Sequence, residues 1–260
     1  MRTAVGCESL VDCTGAYFGR APLLLRELSD RTGLHILTNT GYYGAAGGKV
    51  LPRHAQTDTI DELAERWIAE WRDGIGGTGI KPGFIKIAVD PGPLDAVEEK
   101  LIRASARTHL DTGLTIAAHT GAEEAAYEEI SLLQDEGVAL SAWIWVHANA
   151  VEDCERLLCP AREGAWIEFD GLRDEEQSIK LHCDLVLYMK EKNLLSKVLL
   201  SHDGDAYQAD RPGGGISRPY SVLQEKLIPR LRSKGLLEQE IMSLTVVNPK
   251  KAFSIGVRRA

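Results

Sequence analysis

The chain has 260 residues and a mass of 28.5 kDa, which fits a single (β/α)8 barrel of roughly 250 residues and also allows two smaller domains. Hydrophobic residues make up 44% and charged residues 26%, a composition typical of a folded globular protein and unlike that of a disordered chain. The formal net charge of -8 has the wrong sign for electrostatic binding to nucleic acid or to an anionic membrane. We therefore expect no nucleic acid and no membrane among its partners.

The cysteines and the N-terminus indicate a cellular compartment. Five cysteines, an odd number without any Cys-x-x-Cys spacing, favour free thiols in a reducing environment. Residues 1–6 contain no apolar segment of signal-peptide length, and no apolar run approaches the roughly 20 residues that span a bilayer. The sequence therefore predicts a cytoplasmic protein.

Seven short apolar runs, rich in β-branched residues and bounded by turn residues, predict β-strands. In chain order they are Ser9–Cys13, His35–Asn39, Phe84–Ala88, Thr115–His119, Trp143–His147, Trp166–Phe169 and Val198–Ser201. Amphipathic stretches between them predict helices, for example over residues 59–73 and 94–112. This alternation is typical of an α/β fold with a parallel sheet and crossover helices.

The closed and the open forms of such a sheet differ in their glycine pattern. An open nucleotide-binding sheet needs Gly-x-Gly-x-x-Gly after its first strand, whereas residues 14–19 read Thr-Gly-Ala-Tyr-Phe-Gly and lack the central glycine. Apart from the glycine-rich loop over residues 211–216, no linker, repeat or low-complexity segment divides the chain. We therefore predict one domain over residues 1–260, a TIM (β/α)8-type barrel whose active site lies at the carboxyl ends of the strands.

Lys86 lies in the middle of the apolar run Phe84–Ala88, where strand alternation places it on the face of Phe84 and Ala88. A lone buried ammonium would be costly. Three interpretations remain open: a side chain that reaches solvent from a sheet edge, a Schiff-base lysine, or a lysine whose charge is altered by modification.

Two histidines end neighbouring predicted strands. His119 and His147 each follow an apolar run, and parallel neighbours bring their carboxyl ends together, so both imidazoles can bind one metal ion. Either histidine alone is more typical of a hydrogen-bonded structural residue than of a metal ligand.

Carboxylates follow the last two predicted strands. Asp203, in Ser201-His202-Asp203, is a candidate metal ligand and proton acceptor, although a strand-end aspartate is also typical of a helix N-cap. His202 points to the opposite face and is interpreted as structural. Asp170 is a further strand-end carboxylate. We assign it to substrate binding together with Tyr42 and Tyr43, whose loop follows a strand and can wall a pocket.

Four motifs in order resemble the phosphotriesterase family of the amidohydrolase superfamily: Lys86 in Phe84-Ile-Lys-Ile-Ala88, His119 in His119-Thr-Gly121, His147 in Trp145-Val-His147 and Asp203 in Ser201-His-Asp203. The resemblance covers the chain from Leu10 to Pro249. It implies a barrel with one or two divalent metal ions, usually zinc, and hydrolysis of a small ester or lactone. Dimers are common in similar proteins, which makes a homodimer compatible with the resemblance.

The same resemblance implies a role for each motif residue. Lys86 would be carboxylated on its ε-nitrogen and bridge two metals, His119 and His147 would hold the more exposed metal, and Asp203 would bind the buried metal and accept a proton from water. Carboxylation would also explain a lysine on a buried strand, because it converts the ammonium into an anionic oxygen ligand.

The chain departs from the family pattern at two places. No His-x-His occurs in it, and its first predicted strand resembles the family's second, so we expect a barrel without its first strand and weak or single metal occupancy. Residues 148–150 read Ala-Asn-Ala and lack the acidic residue of phosphotriesterase itself, which favours lactones and carboxylic esters over organophosphates as substrates.

Two further hypotheses stand beside the metal-dependent hydrolase. One is a non-catalytic or poorly active barrel that has lost the buried metal site. The other is a Schiff-base aldolase that uses Lys86 and needs no metal.

Overall fold

Eight short strands, all parallel to their neighbours, form two sheets in the computed structural model, which describes residues 5–204, 210–215 and 218–260. The first two strands pair with each other, and the other six form a sheet in which sequence neighbours are spatial neighbours, in the order β3-β4-β5-β6-β7-β8. The strands are β1 (Ser9–Val11), β2 (His35–Leu37), β3 (Asn39–Thr40), β4 (Phe84–Ala88), β5 (Ile116–His119), β6 (Trp143–Val146), β7 (Trp166–Phe169) and β8 (Val198–Leu200).

Helices connect the parallel strands, as parallel pairing requires. They are α1 (Pro22–Thr32), α2 (Arg53–Thr57), α3 (Ile60–Asp73), α4 (Ala96–Thr112), α5 (Glu123–Asp135), α6 (Leu158–Arg162), α7 (Glu176–Glu191), α8 (Ile228–Ser233), α9 (Glu238–Met242) and α10 (Asn248–Ala252). Two π-helical segments, Leu223–Leu227 and Ser243–Val247, directly precede α8 and α10. The predicted α/β class and parallel pairing are confirmed.

The second predicted strand is divided in the structure. The run His35–Asn39 was expected to be one strand, but β2 pairs only with β1 and β3 pairs only with β4. Between them, the carbonyl of Thr38 accepts the N–H of Gly83. The chain therefore changes pairing partner within this run, and the prediction of seven strands was wrong by one.

Strand alternation gives the six-stranded sheet two different faces. Lys86 is in register with Ala117 of β5, which is in register with Ile144 of β6. One face, called here the Lys86 face, carries a small apolar cluster of Phe84, Ala117, Ile144, Val146, Trp166, Leu199 and Ala252. The opposite face carries the larger core, where strand residues such as Ile85 and Trp143 pack with the helices.

Local sequence signals set the starts of the two clearest helices. Thr59 and Asp95 are N-caps, each with a reciprocal capping box in which the glutamate three residues later binds the cap N–H. The predicted stretches 59–73 and 94–112 therefore match α3 and α4 to within two residues.

No helix within the described part of the chain combines the length and the apolar character that crossing a bilayer requires.

Candidate active site

The carboxyl ends of four adjacent strands carry the candidate residues. His119 is the last residue of β5, His147 follows β6, Asp170 follows β7, and Asp203 lies three residues beyond β8. Because these strands are parallel and consecutive in the sheet, their carboxyl ends lie at one edge. The fold thus brings together residues separated by up to 84 positions in the sequence.

The two histidines contact each other directly. Nε2 of His147 lies 2.7 Å from Nδ1 of His119, and the two rings are nearly perpendicular at 82° with centroids 4.3 Å apart. Burial lowers the pKa of His119 to about 3, with the positive charges of Lys86 and His147 adding to the effect. His119 is therefore neutral at physiological pH and keeps a nitrogen lone pair for a cation.

One carboxylate fixes both the backbone and the ring of His147. This residue adopts a left-handed conformation with φ of 68°, which is uncommon for a side chain with a Cβ. Its N–H donates to Oδ2 of Asp170 at 2.8 Å, and its ring Nδ1 lies 2.6 Å from Oδ1 of the same residue. Asp170 thereby fixes the ring so that Nε2 points towards His119.

The pKa of His147 results from opposing effects. Burial alone would lower it, but the hydrogen bond to Asp170 and the negative charges of Asp170 and Asp203 outweigh burial and raise it. Without a cation, this site therefore favours a proton on His147. A proton and a metal ion compete for the same nitrogen lone pair.

Three of these residues form a group that can hold a metal ion. His147, Asp170 and Asp203 each offer a ligand atom, and these atoms all lie within 4.8 Å of one another. Burial and the neighbouring charge of Asp170 raise the pKa of Asp203 above its ordinary value. A nitrogen donor with two carboxylates is a donor set that suits zinc and other divalent first-row metals.

Lys86 is buried in the middle of β4, with 4% of its surface exposed. Its Nζ donates to the carbonyl of Ile87 at 2.9 Å, and among the described residues it forms no salt bridge. Burial lowers its pKa, against the raising effect of nearby acidic groups that include Glu168. The predicted position of Lys86 on the same face as Phe84 is confirmed. The two residues are two positions apart on β4, and successive side chains of a strand point to opposite faces.

The two adjacent tyrosines point to different places. The hydroxyl of Tyr43 lies 3.4 Å from Nε2 of His119, and its ring stacks on Phe18 at 4.9 Å. The hydroxyl of Tyr42 instead forms a 2.7 Å hydrogen bond with Nε2 of His54, and the ring of Tyr42 packs edge-on against Trp67. Only Tyr43 therefore contacts the histidine pair. Asp170 contacts His147 and is 2% exposed; its assignment to substrate binding stays a prediction.

Two acidic residues near this edge were not singled out by the sequence. Glu168 lies on β7 two residues before Asp170, and burial together with the charge of Asp170 raises its pKa to about 7. Glu129, on α5, is fully buried behind β5 and β6. The sequence contained a signal for each residue. Glu168 is a carboxylate within an otherwise apolar strand, and Glu129 is a carboxylate on the apolar side of a helix. His202, expected to be structural, accepts the N–H of Leu223 at 3.3 Å.

Comparison with known proteins assigns the family. The Phosphotriesterase family profile matches residues 2–253, and the chain belongs to the phosphotriesterase family. The chain is 29% identical over 255 residues to phosphotriesterase homology protein of Escherichia coli, covering 95% of this chain and 84% of that protein. It is 28% identical to an aryldialkylphosphatase of Saccharolobus solfataricus, covering 96% of this chain and 81% of that enzyme. It is also 28% identical to an N-acetyltaurine hydrolase of Dictyostelium discoideum, covering 96% and 70%.

A solved structure supports the same assignment. The crystal structure of the Escherichia coli phosphotriesterase homology protein, with phosphate in its active site, superposes with a TM-score of 0.85 at 28% identity. The match covers 95% of this chain and 84% of that one. The fold of the family therefore extends over nearly the whole chain.

Proposed function

We propose that this chain is a metal-dependent hydrolase that cleaves a lactone, a carboxylic ester or a phosphoester. The observation that carries the proposal is the group of His119, His147, Asp170 and Asp203 at the carboxyl ends of adjacent strands, beside the strand that carries the buried Lys86. Two relatives carry hydrolase names, aryldialkylphosphatase and N-acetyltaurine hydrolase. Addition of water across an acyl or phosphoryl bond is the chemistry common to those names.

The proposed architecture is a (β/α)8-type barrel with the Lys86 face inside. Consecutive parallel strands joined by helices support it, as does the TM-score of 0.85 to a family member. In such a barrel the carboxyl ends of the strands surround the active site, which is the edge where the candidate residues lie. The absence of a first strand stays a prediction from the sequence.

The residues present fit a divalent cation, most simply zinc, with one or two ions bound. His119 is neutral and can offer a ring nitrogen, while Asp170 holds Nδ1 of His147 and leaves Nε2 facing His119, where a cation would replace the contact between the two rings. Asp203 adds an anionic oxygen. We assign Lys86 as a fourth ligand after carboxylation: the lowered pKa favours the free amine, whose nitrogen bonds to the carbon of CO2 with loss of one proton, giving an anionic carbamate.

A bound divalent metal supplies a Lewis acid and lowers the pKa of water near it. The chain's own residues then divide the remaining work. Asp203, whose pKa is raised, accepts a proton from the attacking water and returns it to the leaving oxygen as the ester C–O or P–O bond breaks. Tyr43 and Phe18 form an aromatic wall beside His119 that can pack against the substrate.

The test compares Lys86→Ala with Lys81→Ala, a substitution of an exposed lysine just before the same strand. Protein is prepared with bicarbonate and zinc, manganese or cobalt, and its metal content is measured by elemental analysis. Hydrolysis is then assayed with panels of lactones, aryl esters and phosphotriesters. We expect Lys86→Ala to lose metal and at least 100-fold of turnover, as loss of a group acting at the reacting centre costs on the order of 10²-fold or more, and Lys81→Ala to lose neither.

Wild-type protein without any of these metals after supplementation would sink the proposal. Equal metal content and turnover in wild type and Lys86→Ala would contradict the role of Lys86 and favour the non-catalytic hypothesis. Borohydride trapping of a carbonyl substrate on Lys86 would favour the aldolase hypothesis instead.

A further inference from the structure

A fully buried carboxyl group lies in the core behind His119. Glu129 of α5 has no exposed surface. Its Oε1 lies 2.6 Å from the hydroxyl of Thr120, and its Oε2 accepts the indole N–H of Trp143 at 2.9 Å. No lysine or arginine of the described chain forms a salt bridge with it. An apolar side chain would cost less to bury here, so packing alone does not account for a glutamate.

The group that Glu129 contacts is the residue directly after His119. Thr120 is held at three further points: its N–H donates to the carbonyl of Val146 at 3.3 Å, its carbonyl accepts the indole N–H of Trp145 at 2.9 Å, and its hydroxyl also lies 3.3 Å from the carbonyl of Ala118. These bonds fix the peptide on the carboxyl side of His119. The same backbone carries the side chain of His119, whose ring contacts His147 and Tyr43.

A neutral carboxyl group satisfies every hydrogen bond in this set. Burial raises the pKa of Glu129 to about 8, which favours the protonated acid at neutral pH. Its O–H can then donate to the hydroxyl oxygen of Thr120, which turns its own proton to the carbonyl of Ala118. Oε2 continues to accept from Trp143. A glutamine at this position has the same donor and acceptor in the same places, whereas a leucine has neither.

We propose that Glu129 is a positioning residue which, through Thr120, holds the His119 ring where it can share a metal ion with His147. The 2.7 Å contact between the two rings makes the site sensitive to the direction of either ring. The inference rests on the proposed metal-dependent function, and it assigns to Glu129 an effect on metal binding beyond its effect on folding.

The experiment measures zinc affinity by titration calorimetry on chelator-treated, folded protein, and thermal stability by circular dichroism. Glu129→Leu and Thr120→Val both remove the bond, and both are expected to weaken zinc binding about 10- to 100-fold, as loss of an outer partner of a metal ligand does. Glu129→Gln is expected to bind zinc within about threefold of wild type, since it restores the same contacts. Glu124→Leu, an exposed glutamate on the same helix, is the matched control and is expected to bind like wild type.

The outcomes separate this inference from the proposed function. If wild type binds zinc and Glu129→Leu binds it equally well while only melting earlier, the role of Glu129 is structural and the inference is overturned. Weak binding by Glu129→Gln to the same degree as Glu129→Leu would also overturn it. If Glu129→Leu does not fold, Thr120→Val against Thr120→Ser decides, because serine keeps the hydroxyl. If wild type itself binds no metal, the proposed function fails and this inference fails with it.

Discussion

A single carboxylate controls His147 at the residue scale. Asp170 accepts from the backbone N–H of His147 and lies against its ring nitrogen, and its own N–H donates to Oδ1 of Asn149 at 2.9 Å. These contacts hold the left-handed backbone of His147 and raise the pKa of its ring against the effect of burial. The chemistry of this histidine therefore depends on a neighbour 23 positions away.

Asp170→Asn should lower the pKa of His147, because the amide removes the negative charge and leaves burial as the main effect. NMR titration of the imidazole in metal-free protein measures the change. Asp174→Asn, at an exposed position in the loop after β7, serves as the control and should leave the titration unchanged. The amide should also reduce the free energy of unfolding by about 1–3 kcal/mol, since a buried hydrogen-bond network is disturbed. An unaltered His147 titration in Asp170→Asn would contradict this account.

At the element scale, the segment after β3 that carries Tyr43 is pressed against β4. The N–H of Gly44 donates to the carbonyl of Ala88 at 3.0 Å. A Cβ added at Gly44 would lie 2.6 Å from that carbonyl oxygen and 2.8 Å from Cδ1 of Leu101. This close approach of backbone to strand is what places Tyr43 beside His119, and it requires glycine.

Gly44→Ala should therefore reduce the free energy of unfolding by about 1–3 kcal/mol, the usual cost of overpacking. It should also displace Tyr43 from His119. Urea denaturation measures the loss of stability. A changed NMR chemical shift of the Tyr43 ring measures its displacement from His119. Gly256→Ala is the control, because a Cβ there meets no atom within 4 Å. Equal stability losses in the two variants would count against the steric argument.

The capping box at the start of α4 contributes to the stability of this helix. Asp95 accepts the N–H groups of Val97 and Glu98, and Glu98 returns a bond to the N–H of Asp95. Asp95→Ala leaves these groups without partners and should cost about 1 kcal/mol of stability. Asp95→Asn or Asp95→Ser should restore most of it, because both accept the same bonds. Thermal melts of the three variants check the order, and an alanine variant as stable as wild type would refute it.

At the scale of the whole molecule, the C-terminal segment ties distant elements together. Nε2 of His109, a fully buried residue on α4, accepts the N–H of Arg258 at 2.9 Å, and its Nδ1 lies 2.8 Å from the carbonyl of Leu114. The N–H of Ala139 donates to the carbonyl of Arg258, and the guanidinium of Arg258 donates to the carbonyl of Ser141. Arg258 thus links α4 to the segment that directly precedes β6.

This arrangement predicts a loss of stability in mild acid. Burial lowers the pKa of His109 in the folded state, and a proton on Nε2 would face the N–H of Arg258. The unfolded chain therefore binds the proton more tightly, so the contribution is intact above pH about 6.5 and is lost as pH falls from there towards the lowered folded-state pKa. The loss per pH unit is at most about 1.4 kcal/mol.

Urea denaturation of wild type and His109→Gln between pH 8 and pH 5 measures this contribution as the difference between the two curves. Glutamine can form both hydrogen bonds without titrating, so the variant should lose less stability on acidification. Other buried histidines, such as His119, are common to both proteins and cancel in the difference. Parallel curves would show that His109 is not responsible.

The sequence by itself determined the α/β class, most of the strand runs, the extents of α3 and α4 to within two residues, and the places of Lys86, His119, His147 and Asp203 on or after their strands. These follow from local causes: apolar runs bury both faces of a strand, alternation sets the side of Lys86, and Asp or Thr before a helix satisfies free N–H groups. The gathering of the strand-end residues was predictable, because the carboxyl ends of neighbouring parallel strands lie at the same edge of a sheet.

Only the tertiary structure decided which side chains meet there and in what state. The pairing of Asp170 with His147, the contact of Glu129 with Thr120 and the separation of Tyr42 from Tyr43 depend on how neighbouring strands and helices pack. So do the lowered pKa of His119 and the raised pKa of Glu129, since both arise from burial by residues remote in sequence. A strand pattern tells which residue ends a strand, but burial and partners belong to the packed molecule, because they are sums over atoms that only folding brings within reach.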